Sequence, residues 1–182
     1  MDLFNQDEIK SEWVHPTEFP SMKGRKVVAI DLETCDTDLK KMGPGWPKKI
    51  GKVIGIAVSS GDFTAYYPIA HDGGGNMDRK LVLKYIKEIC EDESIQKVFH
   101  NAQYDVGWLS VLDIEVKGYI HDTMIAAALL DENRFSYTLN SIVSEFLGEY
   151  KDEKVLKAKA EELGVDPKAE MYKMPAEFVG EY

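Results

Sequence analysis

The chain has 182 residues, one domain's worth at roughly 100–200 residues per domain, and its 44% hydrophobic and 30% charged residues are those of an ordinary globular protein able to bury its own core. With 22 Lys and Arg against 32 Asp and Glu the net charge is −10, which excludes a plain basic surface as the grip on nucleic acid and suits a site built around divalent cations. Two cysteines, Cys35 and Cys90, cannot make a framework of disulfides and point to a reducing cytosol. No apolar run approaches the ~18 residues of a membrane span, and the acidic N-terminus lacks a signal-peptide pattern.

Residues 1–25 read as an irregular lead-in, its periodicity broken by Pro16 and Pro20. Residues 26–34, KVVAIDLET, read as a strand, apolar and β-branched in its first half. A loop rich in Gly, Pro and Lys (35–52) leads to a second strand, 53–60, and a Gly61-Asp62 turn returns the chain antiparallel as a third, 63–69. HDGGGN (71–76) reads as a flexible turn. Near-helical apolar spacing predicts a helix over 77–93, followed by a short strand (95–100) and a helix over 101–113 opened by the cap residue Asn101. Residues 118–133 read as a short strand turning into an apolar, buried helix, and 136–148 as a helix closed by a glycine. Residues 152–164 read as a polar surface helix, and the closing YKMPAEFVGEY begins a helix at its proline. This order predicts an α/β fold, a central mixed five-stranded sheet with an antiparallel second strand, flanked by helices.

Two acidic constellations stand out. Asp31 and Glu33 are two apart in a strand, so both carboxylates project from one face, where they repel unless a cation lies between them. Asn101 and Asp105 are one helical turn apart at the start of a helix that follows a strand, near the carboxyl edge where open α/β sheets place their sites. Taken singly, the first pair also reads as a strand ending in solvent, and the second as a cap and a solvated helix residue.

Together, AIDLET and HNAQYD resemble the first and second motifs of the DEDD superfamily of 3′–5′ exonucleases, which share the ribonuclease-H-like fold. DLETCDTDLKKMGPGW, YYPIAHDGGGN, NAQYDVGWL, HDTMIAAALLDEN and YTLNSIVSEFLG extend the likeness from residue 27 to the end, toward the proofreading domain of phage-type family A DNA polymerases. MPAEFVGEY is similar to the opening of the third motif, a tyrosine followed four places later by an acid; Tyr182 is that tyrosine, and the position of the fourth acid lies past it. None of His15, His71, His100 and His121 lies late in the chain, which favours the tyrosine subclass. The expected organisation is therefore a lead-in, 1–25, and an exonuclease domain, 26–182, cut within its third motif.

The resemblance implies two-metal phosphodiester hydrolysis with Mg²⁺ or Mn²⁺. Asp31 would bridge both ions, Glu33 would hold the ion carrying the attacking water, and Asp105 would hold the other. Tyr182 would orient that water, and Leu32, Thr34, Asn101 and Tyr104 would contact the terminal nucleotides, Leu32 and Tyr104 by wedging or stacking, with ordinary core packing the rival reading of Leu32. The implied partner is a single-stranded or frayed 3′ end of DNA, with a polymerase domain in the parent chain, in the cytoplasm of a bacterium or phage-infected host. Without the fourth acid the chain is expected to bind one ion weakly and to be inactive as it stands. The alternatives are a catalytically incomplete nucleic-acid-binding or interaction domain and a ribonuclease-D-like enzyme acting on RNA. Lys40, Lys41, Lys48 and Lys49 could meet the nucleic-acid backbone or be merely solvated, and Asp122 reads as a helix cap. Trp13, Trp46 and Trp108 carry no assignable chemistry.

Overall fold

A computed structural model describes residues 9–182; the first eight residues of the lead-in lie outside the described part. Five strands form one sheet: β1 (Val27–Cys35), β2 (Lys52–Ser60), β3 (Phe63–Pro68), β4 (Gln96–Phe99) and β5 (Ile120–Asp122), in the order β3-β2-β1-β4-β5. β2 runs antiparallel to both of its neighbours, β1 and β3, while β4 and β5 run parallel to β1. This is the mixed sheet that the sequence predicts.

β1 is the pivot. Its pairing with β4 covers only Val27–Ala29, so beyond Ala29 its β4-side edge is free. On its other side the ladder with β2 slips by one between Glu33 and Thr34, leaving Ile54 as an extra residue. The Ile54 carbonyl accepts N–H groups from Ile69 (2.8 Å) and Ala70 (3.0 Å), so the carbonyl of the extra residue is satisfied by the chain leaving β3. Both irregularities fall where the acid pair leaves the sheet.

The helices are α1 (Leu39–Met42), α2 (Arg79–Glu91), α3 (Ala102–Val111), α4 (Thr123–Leu130), α5 (Leu139–Leu147), α6 (Lys154–Leu163) and α7 (Ala176–Gly180). Strand alternation sends Val28, Ile30 and Leu32 to one face, where they pack with Val82, Ile86 and Ile89 of α2 and with Trp108 and Leu109 of α3. On the opposite face Ile54 and Tyr66 pack with Leu156 and Ala160 of α6 and with Phe178 and Val179 of α7.

Several sequence expectations are corrected. The loop 35–52 holds α1 and a 3₁₀ turn, Trp46–Lys48, whose indole lies against Gly107 of α3. α4 is not buried: only Ala127 is, and Ile125, Leu129 and Leu130 are exposed, because the helix packs through one small residue. α6 is polar but not superficial, since Leu156 and Ala160, four apart, close the second core. HDGGGN is a pinned turn: His71 N–H donates to Asn76 Oδ1 (2.7 Å) and Asn76 Nδ2 returns a bond to the His71 carbonyl (2.8 Å). The described part of the lead-in is fastened to α7. Ser11 Oγ donates to the Glu177 carbonyl (2.8 Å), Glu12 N–H to Glu181 Oε2 (2.9 Å), and Trp13 covers Gly180 so closely that a Cβ there would lie 2.3 Å from its ring.

Gly55, the cross-strand partner of Glu33, has the Tyr66 phenol lying directly over it; a Cβ at Gly55 would sit 1.9 Å from Tyr66 Oη. Gly55→Ala must push that phenol out of the second core, and is expected to cost about 1–3 kcal/mol. Urea unfolding checks this: a midpoint equal to the parent's would show the site has room.

Candidate active site

The three acids meet at the free edge of β1. Asp31 and Glu33 leave the strand on the face of the second core, Asp31 open to solvent at the groove mouth and Glu33 half-buried. Asp105, 3% exposed, comes from the first turns of α3, and its Oδ1 accepts the N–H of Leu32 (3.3 Å), the residue between the other two acids. That N–H is available because β4 has already ended.

α3 is aimed by Asp122 rather than by its own cap. Asn101 has left-handed backbone angles (φ 68°, ψ 56°) and its side chain makes no capping bond, contrary to the sequence reading. The Asp122 carboxylate, from the end of β5, accepts the N–H groups of Asn101 (3.2 Å) and Ala102 (2.7 Å). It also accepts those of Met124 (2.9 Å) and Ile125 (3.3 Å), capping α4. Burial opposes the charge on Asp122, but these N–H donors hold its carboxyl below the usual value.

The crowding is visible in the carboxyl groups themselves. Burial, then repulsion from Asp31, pushes Glu33 up to about 7. Burial and Asp31 push Asp105 up to about 8, against the pull of the Leu32 N–H. Asp31 is raised by the protein packed around it and held back by Lys151 and His100. No three Asp, Glu, His or Cys side chains among the described residues are grouped tightly enough to chelate an ion as they stand. What fits a divalent ion is the chemistry of the set: hard carboxylate oxygens whose mutual repulsion the nearby cations only partly offset.

Tyr182 closes the site from the end of α7, beside the second core. Burial and the Glu33 carboxylate push its phenol up to about 12, so it keeps its proton and can donate. Thr34 and Tyr104 are brought together across β1 and α3: Tyr104 Oη donates to Asp36 Oδ2 (3.0 Å) and pairs with Thr34 Oγ1 (2.8 Å). Leu32 is a correction. Its side chain is 6% exposed, in the first core on the face opposite the acids, so alternation along the strand denies it any wedge against a base. His100 Nδ1 bonds Thr123 Oγ1 (2.9 Å), and His121 lies on the exposed edge with Gln96 (2.8 Å). Of the four loop lysines, Lys48 donates to the Met42 carbonyl (3.0 Å) within its own loop.

The sequence reading missed a buried pair behind Glu33. His71 Nδ1 lies 3.1 Å from the Met174 carbonyl, which can only accept, so Nδ1 carries the proton and Nε2 accepts from Tyr66 Oη (2.6 Å). Burial pushes His71 down to about 4, keeping it neutral. The pair ties β3 to the segment leading into α7. Tyr66 and His71 are only five residues apart, but no periodic pattern marks the pair, and the Met174 carbonyl that completes it is 103 residues away.

Two solved structures share this architecture. Ribonuclease D of Trypanosoma brucei, in complex with GMP, superposes with a TM-score of 0.62 at 20% identity, covering 89% of this chain and 48% of that one. Brucella melitensis NrnC with bound Mg²⁺ superposes at 0.54 and 21% identity, covering 85% and 84%. The fold is thus that of the ribonuclease-H-like exonucleases. Residues 18–172 match the model of the 3′–5′ exonuclease family of family A DNA polymerases, and the chain belongs to that family. It is 38% identical over 180 residues to a DNA-directed DNA polymerase of Pseudomonas phage M6, in agreement with the phage-type resemblance. The alignment covers 96% of this chain and 27% of the phage protein, so the chain spans about a quarter of that relative's length.

An acid whose folded pKa is raised favours folding while protonated, so the metal-free domain loses stability as pH rises through the window from the ordinary carboxylate value to about 8 for Asp105. Asp105→Asn keeps an acceptor for Leu32 and removes the charge. In EDTA at pH 8 its Tm is expected to exceed the parent's by roughly 2–4 °C for each kcal/mol of repulsion relieved, and the gap should be smaller at pH 5 and close only near the ordinary carboxylate value of 3.8. His71 titrates in both proteins and cancels from the difference. Equal Tm values at both pH values, read by circular dichroism, would show that the acids do not crowd one another.

Proposed function

We propose that the domain removes nucleotides from the 3′ end of DNA by hydrolysis dependent on two divalent ions, Mg²⁺ or Mn²⁺, as the proofreading part of a DNA polymerase. The observation that carries this reading is the hydrogen bond from Leu32 N–H to Asp105, which gathers two distant acidic motifs at one strand end. Asp31, Glu33 and Asp105 would hold the ions, which when bound acidify a water near neutral pH and offset charge on the leaving 3′ oxygen. Tyr182, protonated and at the edge of the acids, donates its phenolic proton to orient the attacking water. This assigns the domain to the tyrosine subclass of the DEDD exonucleases. Thr34, Asn101 and Tyr104 border the terminal nucleotide, and selectivity for a frayed end follows because a paired terminus cannot reach Glu33 and Asp105, which lie recessed behind Asp31. Kinship with a phage DNA polymerase supports DNA over RNA and a polymerase as the setting.

The test uses a 5′-labelled single strand, in DNA and RNA versions, with Mn²⁺. The 182-residue chain is compared with a version lengthened past Tyr182 to carry an acid four places on. A ladder that shortens from the 3′ end, faster on DNA, is expected from the lengthened chain. A faster ladder on RNA would move the reading to a ribonuclease, and no cleavage by either chain would leave a binding domain. Asp31→Ala should reduce metal-dependent cleavage to background with the circular dichroism spectrum unchanged. Tyr182→Phe should slow single-turnover cleavage by about 100-fold or more while Mn²⁺ affinity holds. Equal rates for Tyr182→Phe and its parent would remove the orienting role.

A further inference from the structure

An acidic cluster that must receive a phosphodiester faces an electrostatic problem that metal ions at the scissile bond relieve only locally. The overall charge of −10 deepens it, and of the lysines in the loop after β1, Lys48 spends its ammonium on the Met42 carbonyl of its own loop. One ammonium is placed differently. Lys151 lies in the connection between α5 and α6, just past the left-handed Gly148 that ends α5, and this connection brings it over the rim of the site. Its Nζ stands 3.3 Å from the centroid of the Tyr182 ring. It borders a groove of about 240 Å³ that runs from Asp31 along small apolar side chains of the sheet, Ala29, Ala57 and Val98, to Leu139.

Its charge is also uncommitted. Every later lysine in the chain is ion-paired: Lys154 with Asp152, Lys157 and Lys168 with Glu153, Lys159 with Glu162, and Lys173 with Glu170. Lys151 makes no ion pair among the described residues, and the Tyr182 ring face holds it instead, a cation–π contact that fixes its position without neutralising it. Its field nevertheless reaches both Asp31 and Glu33, lowering each carboxyl against the effect of burial.

We infer that Lys151 grips the phosphate of the 3′-terminal nucleotide, its ammonium donating to a non-bridging oxygen while sugar or base lies along the apolar groove beside Asp31. This rests on the exonuclease reading of the site and adds to it a protein-borne cation at the phosphate. An ammonium suits the task because its three donors rotate and its compact charge needs no fixed plane, so it follows a flexible single strand. The contact to Tyr182 places the grip and the water-orienting phenol on one rigid unit.

The test is binding without turnover: fluorescence anisotropy of a short labelled oligothymidylate in Ca²⁺, over a range of salt, for the parent and for Lys151→Ala, Lys151→Met and Lys151→Arg. A single phosphate contact on a single strand contributes about 0.7 to the slope of log K against log salt. Lys151→Ala and Lys151→Met are expected to bind several-fold more weakly at low salt with a slope shallower by about 0.7, and Lys151→Arg to keep the parent slope. Mn²⁺ affinity without oligonucleotide, read by electron paramagnetic resonance, should not fall in any of them. An unchanged slope overturns the proposal, whether or not Mn²⁺ binds more tightly, as does a fall in Mn²⁺ affinity large enough to account for the lost binding. A parent that does not bind the oligonucleotide at all would instead sink the exonuclease reading, and the grip with it.

Discussion

Asp105 is held against β1 by one backbone N–H, that of Leu32, and the chemistry proposed for this domain depends on that contact. It exists because β4 stops early, leaving a strand edge with a donor and no partner. The bond pulls one carboxylate toward two others, and burial and repulsion oppose it. The arrangement persists because Asp105 rides on a helix whose N-terminus is fixed by a second anion, Asp122, bound to two helices at once. Rigidity comes from outside the acidic cluster, so the cluster can stay under-compensated and ready for cations.

The two faces of the sheet divide the labour. The first is an apolar core sealed by α2 and α3, where Leu32 belongs. The second mixes apolar packing with recessed polar groups: Tyr66 across Gly55, neutral His71 behind it, and Tyr182 at the end of α7. Each is kept uncharged by burial, so each can hydrogen-bond beside the carboxylates without adding to their repulsion.

The five strands, the acid pair and the turn-spaced Asp105 were readable from the sequence, because strand alternation and helical spacing are local rules. Leu32 shows where wording misleads: a residue between two acids in a motif points away from both. Asn101 shows the same for capping, since its side chain yields to a carboxylate twenty-one positions later. Apolar α4 reads as buried and is not, and polar α6 reads as superficial and is not, because which face of a helix is covered depends on what packs there. Tyr66 and His71 are only five residues apart, but the Met174 carbonyl that fixes the tautomer, like the Tyr182 ring beneath Lys151, comes from a distant segment that no local pattern indicates.

The lead-in looks dispensable in the sequence, yet Trp13 caps the one glycine on α7 that leaves space for it, and Ser11 and Glu12 bond the same helix. A boundary drawn at the first strand would amputate the brace of the tyrosine-bearing turn while sparing every strand and every acid. Such a trimmed protein would keep the spectrum of a folded domain and still present its phenol loosely, so an excised fragment's silence in an assay would report on the cut, not on the site.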